Sequence, residues 1–266
     1  MYRGTPVALK RLSISPTAEL QDQRRVWIVS NKTLKNKFIL PLLGIDRDTF
    51  KPYFAMVSPW MEQGNAFNYI RKNGTHFLFE AAQGLAYLHS MNSVHGYLRG
   101  ANILITNDIH ACLADFGLTV FSDTTETTNT STSNRAGNVR WMAPELIDPQ
   151  RDVYALACVC IELYTVAPPF TGLTDGSVIL QVITGKRPSR PGEPLSDELW
   201  DRMSECWAED AKTRPSVEAV VRILEKLCSV EESTHRWSLD VVTAESGSQK
   251  GSPHKGSAET GVSHSS

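Results

Sequence analysis

The 266-residue chain is 41% hydrophobic, enough apolar material for the core of one large domain or two closely packed lobes. Its 27 Lys and Arg against 29 Asp and Glu leave a net charge of −2, which provides no field to draw it to nucleic acid or an anionic membrane surface, so neither is an expected partner. The five cysteines (Cys112, Cys158, Cys160, Cys206 and Cys228) are odd in number and have neither zinc-site spacing nor a disulfide framework. Reduced core thiols and a cytoplasmic location are expected. The start MYRGTPVALK has no apolar secretory core, and the greasiest run, Val153 to Ile161, is far short of the roughly 20 residues that cross a bilayer.

In chain order, three short apolar runs of strand type come first: Pro6 to Lys10, Ile39 to Ile45 and Tyr53 to Val57. The charged stretch Ala18 to Lys35 between the first two is compatible with a helix. From Phe77 the apolar residues Leu78, Ala81, Ala82, Leu85 and Leu88 recur at three and four residues and predict an amphipathic helix. Ile103 to Thr106 and Ile109 to Leu113 flank Asn107-Asp108, a pair that tolerates left-handed backbone, so a hairpin turning there is expected. Asp152 is a candidate cap for the nearly all-apolar segment Val153 to Leu163, which reads as a buried helix. Two more amphipathic helices, carrying Leu199 to Trp207 and Val217 to Leu227, are predicted with Ser196 and Ser216 as caps. After Glu231 the chain turns to Ser, Gly, His and Lys, and 231–266 reads as a disordered tail.

Four motifs stand in order along this pattern. They are VALK (Val7 to Lys10), HGYLRGAN (His95 to Asn102), DFG (Asp115, Phe116, Gly117) and APE (Ala143, Pro144, Glu145). Each is a weak signal alone, but their order and spacing together are not. The chain resembles the protein kinase family over about Thr5 to Leu227, with HGYLRGAN similar to the catalytic loop H-R-D-L-x-x-x-N. The wording LRGAN and GNVRWMAPE is similar to the tyrosine-kinase-like branch.

The resemblance implies an α+β, two-lobe fold. Residues 1–60 would form part of an N-terminal β-lobe, starting at the VALK strand, and 61–230 a mostly α-helical C-terminal lobe. It also implies ATP and Mg2+ as cofactors. Lys10 would hold the α- and β-phosphates, and Asp115 and Asn102 the metal. Ala8, the gatekeeper Ser58 and the hinge residues Trp60 and Met61 would line the nucleotide pocket. Glu145 and Arg214 would form a buried ion pair, and Asp152 would brace the catalytic loop. Oxygen ligands for a hard cation and a lysine for phosphate make chemical sense.

Four departures bear on activity. Tyr97 occupies the catalytic-base position, where the family has an aspartate; a phenol stays protonated and uncharged at neutral pH, and positioned proton transfer contributes about 10²- to 10⁴-fold. The glutamate that pairs with the strand lysine aligns on Trp27, and Glu19 is the only glutamate in that segment. Only nine residues precede Lys10, with no G-x-G-x-x-G among them, so the loop that covers the phosphates is absent from this sequence. Gly96 stands where phosphorylation-activated kinases place an arginine. The hydroxyl-rich run Thr124 to Ser133 therefore reads as a solvated loop rather than a phosphorylation switch.

The expected function is a pseudokinase with weak or no phosphoryl transfer that binds a protein partner, and ATP weakly. The alternative is an active tyrosine-kinase-like kinase for Ser/Thr or Tyr whose upstream exon is missing.

Overall fold

The computed structural model describes residues 4–11, 34–68, 70–116, 138–145, 150–192 and 195–230. Trp27, Gly117, the run Thr124 to Ser133 and residues 231–266 therefore lie outside the described residues. Three antiparallel strands, β1 (Val7–Arg11), β2 (Gly44–Asp46) and β3 (Ala55–Pro59), form one sheet in the order β1-β3-β2. The central β3 buries Ala55 and Met56, whereas Leu9, Lys10 and Arg11 of β1 are exposed.

The strand expected over Ile39 to Ile45 forms only at its end, in β2. Ile39 is buried, and the backbone around it pairs with Leu113 instead. Leu40 N donates to Leu113 O at 2.9 Å and Leu113 N to Phe38 O at 2.8 Å. Pro41 has no N–H with which to carry a ladder onward.

Helix α1 (Ile70–Ser90) begins earlier than its apolar pattern, but the predicted face is the buried one: Phe77, Leu78, Ala81, Ala82, Leu85 and Leu88 are all 0% exposed. Gly84 lets segment 38–40 come close, since a Cβ there would sit 2.9 Å from Phe38 O. Strands β4 (Ile103–Ile105) and β5 (Ala111–Leu113) make the expected hairpin. Its turn is not the expected one, because the left-handed residue is Ile109 (φ 61°) rather than Asn107 or Asp108. Ile109 packs against the core, and Thr106 N donates to His110 O at 2.8 Å, closing a longer loop. Burial of an apolar side chain here outweighs the backbone preference of the neighbouring pair.

Helix α2 (Gln150–Thr165) is buried continuously from Asp152 to Leu163, as its all-round apolar sequence implies. It packs against α1 and against α4 (Asp197–Cys206). Asp152 lies inside α2 and is not its cap. Ser196 does cap α4, accepting from Leu199 N at 3.2 Å, and Ser216 accepts from Ala219 N at 3.3 Å at the start of α5, residues 217–230. Helix α3 (Asp175–Ile183), capped by Thr174, has no clear sequence signal because Ile179, Leu180 and Ile183 are exposed and blur its periodicity.

All five cysteines are free and buried. Burial pushes the Cys112 and Cys206 thiols up to about 12, so they stay protonated and inert. Among the described residues no helix is long and apolar enough to cross a membrane.

Candidate active site

The segment from His95 to Arg99 has no regular secondary structure, with Gly96 left-handed at φ 71°, and it ends in one 3-10 turn, Gly100–Asn102. Such a segment has few hydrogen bonds of its own, so it needs outside acceptors. Asp152 of α2 provides them: Oδ2 accepts from His95 N at 2.7 Å and from the ring of His89 at 3.0 Å, while Oδ1 accepts from Gly96 N at 2.8 Å. Burial alone would raise this carboxyl, but the His89 bond, the electrostatic interaction with the neighbouring His95 ring and the Gly96 bond outweigh it and hold it below the usual carboxylate range.

His95 is fully buried, and desolvation lowers it despite the attraction of Asp152 and Asp115. Its Nδ1 accepts from Tyr97 N at 3.2 Å. Its ring meets Phe116 edge-on, with centroids 6.3 Å apart.

A second buried carboxylate, Glu162 of α2, holds the other end of the loop. Its Oε2 accepts from Gly100 N at 2.7 Å and from Trp141 Nε1 at 2.8 Å. Burial raises Glu162 above the usual carboxylate range, with these two bonds and the Arg99 charge opposing the rise. Glycine at 100 lets the carboxylate sit close, because a Cβ would meet Glu162 Cδ at 2.9 Å and push it off these bonds. Arg99 stacks over Trp141, its guanidinium carbon 4.9 Å from the ring centroid.

Those supports deliver the chemistry-bearing residues to one place. Asn102 is buried, its Nδ2 donates to Tyr97 O at 2.7 Å, and its own carbonyl accepts from Ala114 N at 2.8 Å, which fixes it beside the residue preceding Asp115. Asp115 takes left-handed backbone, φ 63°, a conformation that non-glycine residues adopt mostly where neighbours hold them. Lys10 of β1 reaches across and pairs with the Asp115 carboxylate. Lys10 faces Met56 in the β1–β3 register, and Ala8 faces Ser58. Trp60 N donates to Pro6 O at 3.1 Å, so the connection through Trp60 and Met61 leaves the sheet beside the start of β1. Gly64 O then accepts from Ile105 N at 2.9 Å and ties this connection to β4. Tyr97 is half-buried at the centre of the braced loop.

The donor set suits a hard cation and a phosphate. Asp115 offers carboxylate oxygens. The bond from Asn102 Nδ2 to Tyr97 O commits the amide nitrogen and leaves the amide oxygen as the metal-binding atom. The Lys10 ammonium already lies against an anionic oxygen. The residues present fit a magnesium-bound triphosphate.

Behind the loop, Arg214 forms a bidentate pair with Glu145, its guanidinium group 0% exposed, and Arg214 Nε donates to Ala208 O at 2.9 Å. This is the pair expected from the APE motif.

Comparison with known proteins agrees with this geometry. The family profile of protein tyrosine and serine/threonine kinases matches residues 2–224. The chain belongs to this kinase family. The kinase domain is 28% identical to serine/threonine-protein kinase VIK of Arabidopsis thaliana over 258 residues, covering 90% of this chain and 58% of that protein. It is 30% identical to serine/threonine/tyrosine-protein kinase HT1 of the same plant over 248 residues, covering 85% and 61%. MAP3K epsilon protein kinase 1 of Brassica napus is 27% identical over 237 residues, 83% of this chain but 18% of that protein. The chain thus spans less than two thirds of each of these relatives.

Of the kinase domain's predicted site residues, Lys10, Asn102, Asp115 and Tyr97 are brought together, and Ala8, Ser58, Trp60 and Met61 follow along the sheet and its exit. The resemblance named Asp152 as a brace, and the hydrogen bonds show it acting as one. Glu162, Arg99 and Trp141 escaped the sequence reading. A lone glutamate in the apolar run CVCIELY of α2 was the available signal, since a buried carboxylate requires donors.

Proposed function

We propose that this kinase domain is a pseudokinase: it retains a nucleotide and metal site, transfers phosphate weakly or not at all, and acts by binding a protein. The observation that carries this reading is Tyr97, a phenol at the catalytic-base position of a loop whose brace is intact. In the family a carboxylate there orients and accepts the proton of the substrate hydroxyl; a phenol is too weak a base to take that proton and is bulkier than the carboxylate it replaces. Lys10 would hold the phosphates and Asp115 and Asn102 the magnesium, with Ala8, Ser58, Trp60 and Met61 around the base. Mg-ATP, when bound, supplies the transferable phosphoryl group. Residues 1–60 then serve as the β-lobe, 61–230 as the helical lobe and 231–266 as a tail.

One observation favours a second reading. Lys10, Asn102 and Asp115 are all in place, which a protein-binding role alone does not require. In that reading the chain is an active kinase for Ser/Thr or Tyr, the residue types in the names of its relatives.

Phosphate incorporation into a generic protein acceptor separates the two, measured for the natural chain, Tyr97→Asp and Lys10→Met. The pseudokinase reading expects incorporation at background for the natural chain and a rise of about 10²-fold or more in Tyr97→Asp. Robust incorporation by the natural chain, lost in Lys10→Met, would overturn it.

A further inference from the structure

On the face of α1 next to the β4–β5 hairpin, two imidazoles converge on one buried carboxylate. His76 and Glu80 are four residues apart on α1 and so share a face of the helix. His110 comes from the loop between β4 and β5. Glu80 Oε1 lies 2.5 Å from His110 Nδ1 and 3.3 Å from His76 Nε2, and the three candidate ligand atoms are all within 4.8 Å of one another. Glu80 is 2% exposed, and its second oxygen accepts from Ala111 N at 2.6 Å. Both imidazoles are nearly half exposed, at 43% and 45%.

We propose that His76, Glu80 and His110 form a site for a divalent transition ion of the zinc class, with water completing the coordination, that clamps the β4–β5 hairpin to α1. Zinc bonds nitrogen and oxygen ligands at about 2.0–2.1 Å in a tetrahedron, which sets neighbouring ligand atoms roughly 3.3 Å apart. The His76–Glu80 edge already has that length. The His110 ring must draw back by roughly 1 Å to match it, and its exposed side leaves room to do so. The bond from Ala111 fixes the carboxylate from behind, as outer partners do in metal centres. Two imidazoles with one carboxylate select zinc-class ions over magnesium and calcium, which demand oxygen ligands. The hairpin leads directly into the kinase site: β4 follows Asn102, and β5 ends two residues before Asp115. An ion bridging it to α1 would therefore hold the backbone that carries both residues.

The test is calorimetric titration of the full chain with Zn2+ in excess Mg2+ at neutral pH, for the natural chain, His76→Ala and His110→Asn. The excess Mg2+ saturates the oxygen-ligand site and leaves an imidazole site open. His110→Asn keeps a hydrogen-bonding group beside Glu80 without an imidazole, and circular dichroism verifies that each variant is folded. We expect one Zn2+ site in the natural chain whose affinity falls by at least about 10–100-fold in each variant, and a thermal shift with Zn2+ that is lost alongside it. Any binding by His235, His254, His264 or the cysteines survives both substitutions and so cannot mimic this result. Identical isotherms in all three proteins, or an equal Zn2+-induced thermal shift in His76→Ala, would overturn the proposal.

Discussion

The two sides of the candidate site are held by different physics. On the helical side, Asp152 and Glu162 are buried carboxylates that together accept from three backbone N–H groups, an indole and a histidine ring. On the sheet side, Lys10 projects from an exposed strand and makes an ion pair with its own side chain 47% exposed. The first arrangement lies within the folding core, so it is required for stability whether or not phosphate is transferred. The second contributes little to stability, so its presence bears on ligand binding. Retained features of a kinase fold should accordingly be sorted by burial before being counted for or against activity.

The largest expected effect is at Asp152. Asp152→Ala strands the N–H groups of His95 and Gly96 in the interior, each costing about 1–3 kcal/mol. We expect a total loss of about 3–5 kcal/mol in urea unfolding, the scale for breaking a buried charged network. A loss under about 1 kcal/mol would erase the distinction between the two sides.

What was legible in the sequence follows the same division. Helix faces with strict three- and four-residue spacing, such as Phe77 to Leu88, were readable because one side is uniformly buried. The four kinase motifs were readable because chemistry fixes their residue types. Boundaries failed where tertiary contacts intervene: Ile39 was drawn to Leu113 rather than into the small sheet, and Ile109 took the left-handed position because its side chain packs inward. Asp152 carried two sequence readings, cap and brace, and hydrogen bonds to a segment 56 and 57 residues away decided between them. Glu162 was hidden because its donors, Gly100 and Trp141, are remote in sequence and have no spacing rule.

A smaller effect should appear in the pH dependence of the braced side. Burial holds His95 below its ordinary value of 6.5, so it stays neutral in the folded protein while the unfolded chain takes up a proton as pH falls through 6.5. The unfolded state binds more protons in that window, and stability therefore declines on acidification, at most about 1.4 kcal/mol per pH unit for one group. Asp152 is held below 3.8, so its contribution is present above that pH and is lost only as pH falls through its lower folded value. On acidification the His95 decline sets in first, from pH 6.5, and the Asp152 loss begins only below 3.8. His95→Asn, whose amide oxygen can replace Nδ1 as acceptor for Tyr97 N, should flatten the decline below pH 6.5 and leave the more acidic one intact. Unfolding midpoints from pH 7 to 3 would reveal this, and an unchanged upper slope in the variant would mean that His95 is not the group responsible.

The smallest stability effect is expected at Lys10, and its size sharpens the contrast most. Lys10→Met removes a partly exposed ion pair, worth about 0–1 kcal/mol, and leaves Asp115 with solvent on one side rather than buried without a partner. The unfolding midpoint should scarcely move. Any thermal stabilisation by Mg-ATP in the natural chain should nevertheless disappear, since Lys10 is the only strand cation that pairs with Asp115 among the described residues. A variant with native stability and no nucleotide response would show that the sheet side acts in ligand binding alone. If Lys10→Met instead cost several kcal/mol, the Lys10–Asp115 pair would be a structural tie like Asp152, and Lys10 would lose its value as a sign of nucleotide binding.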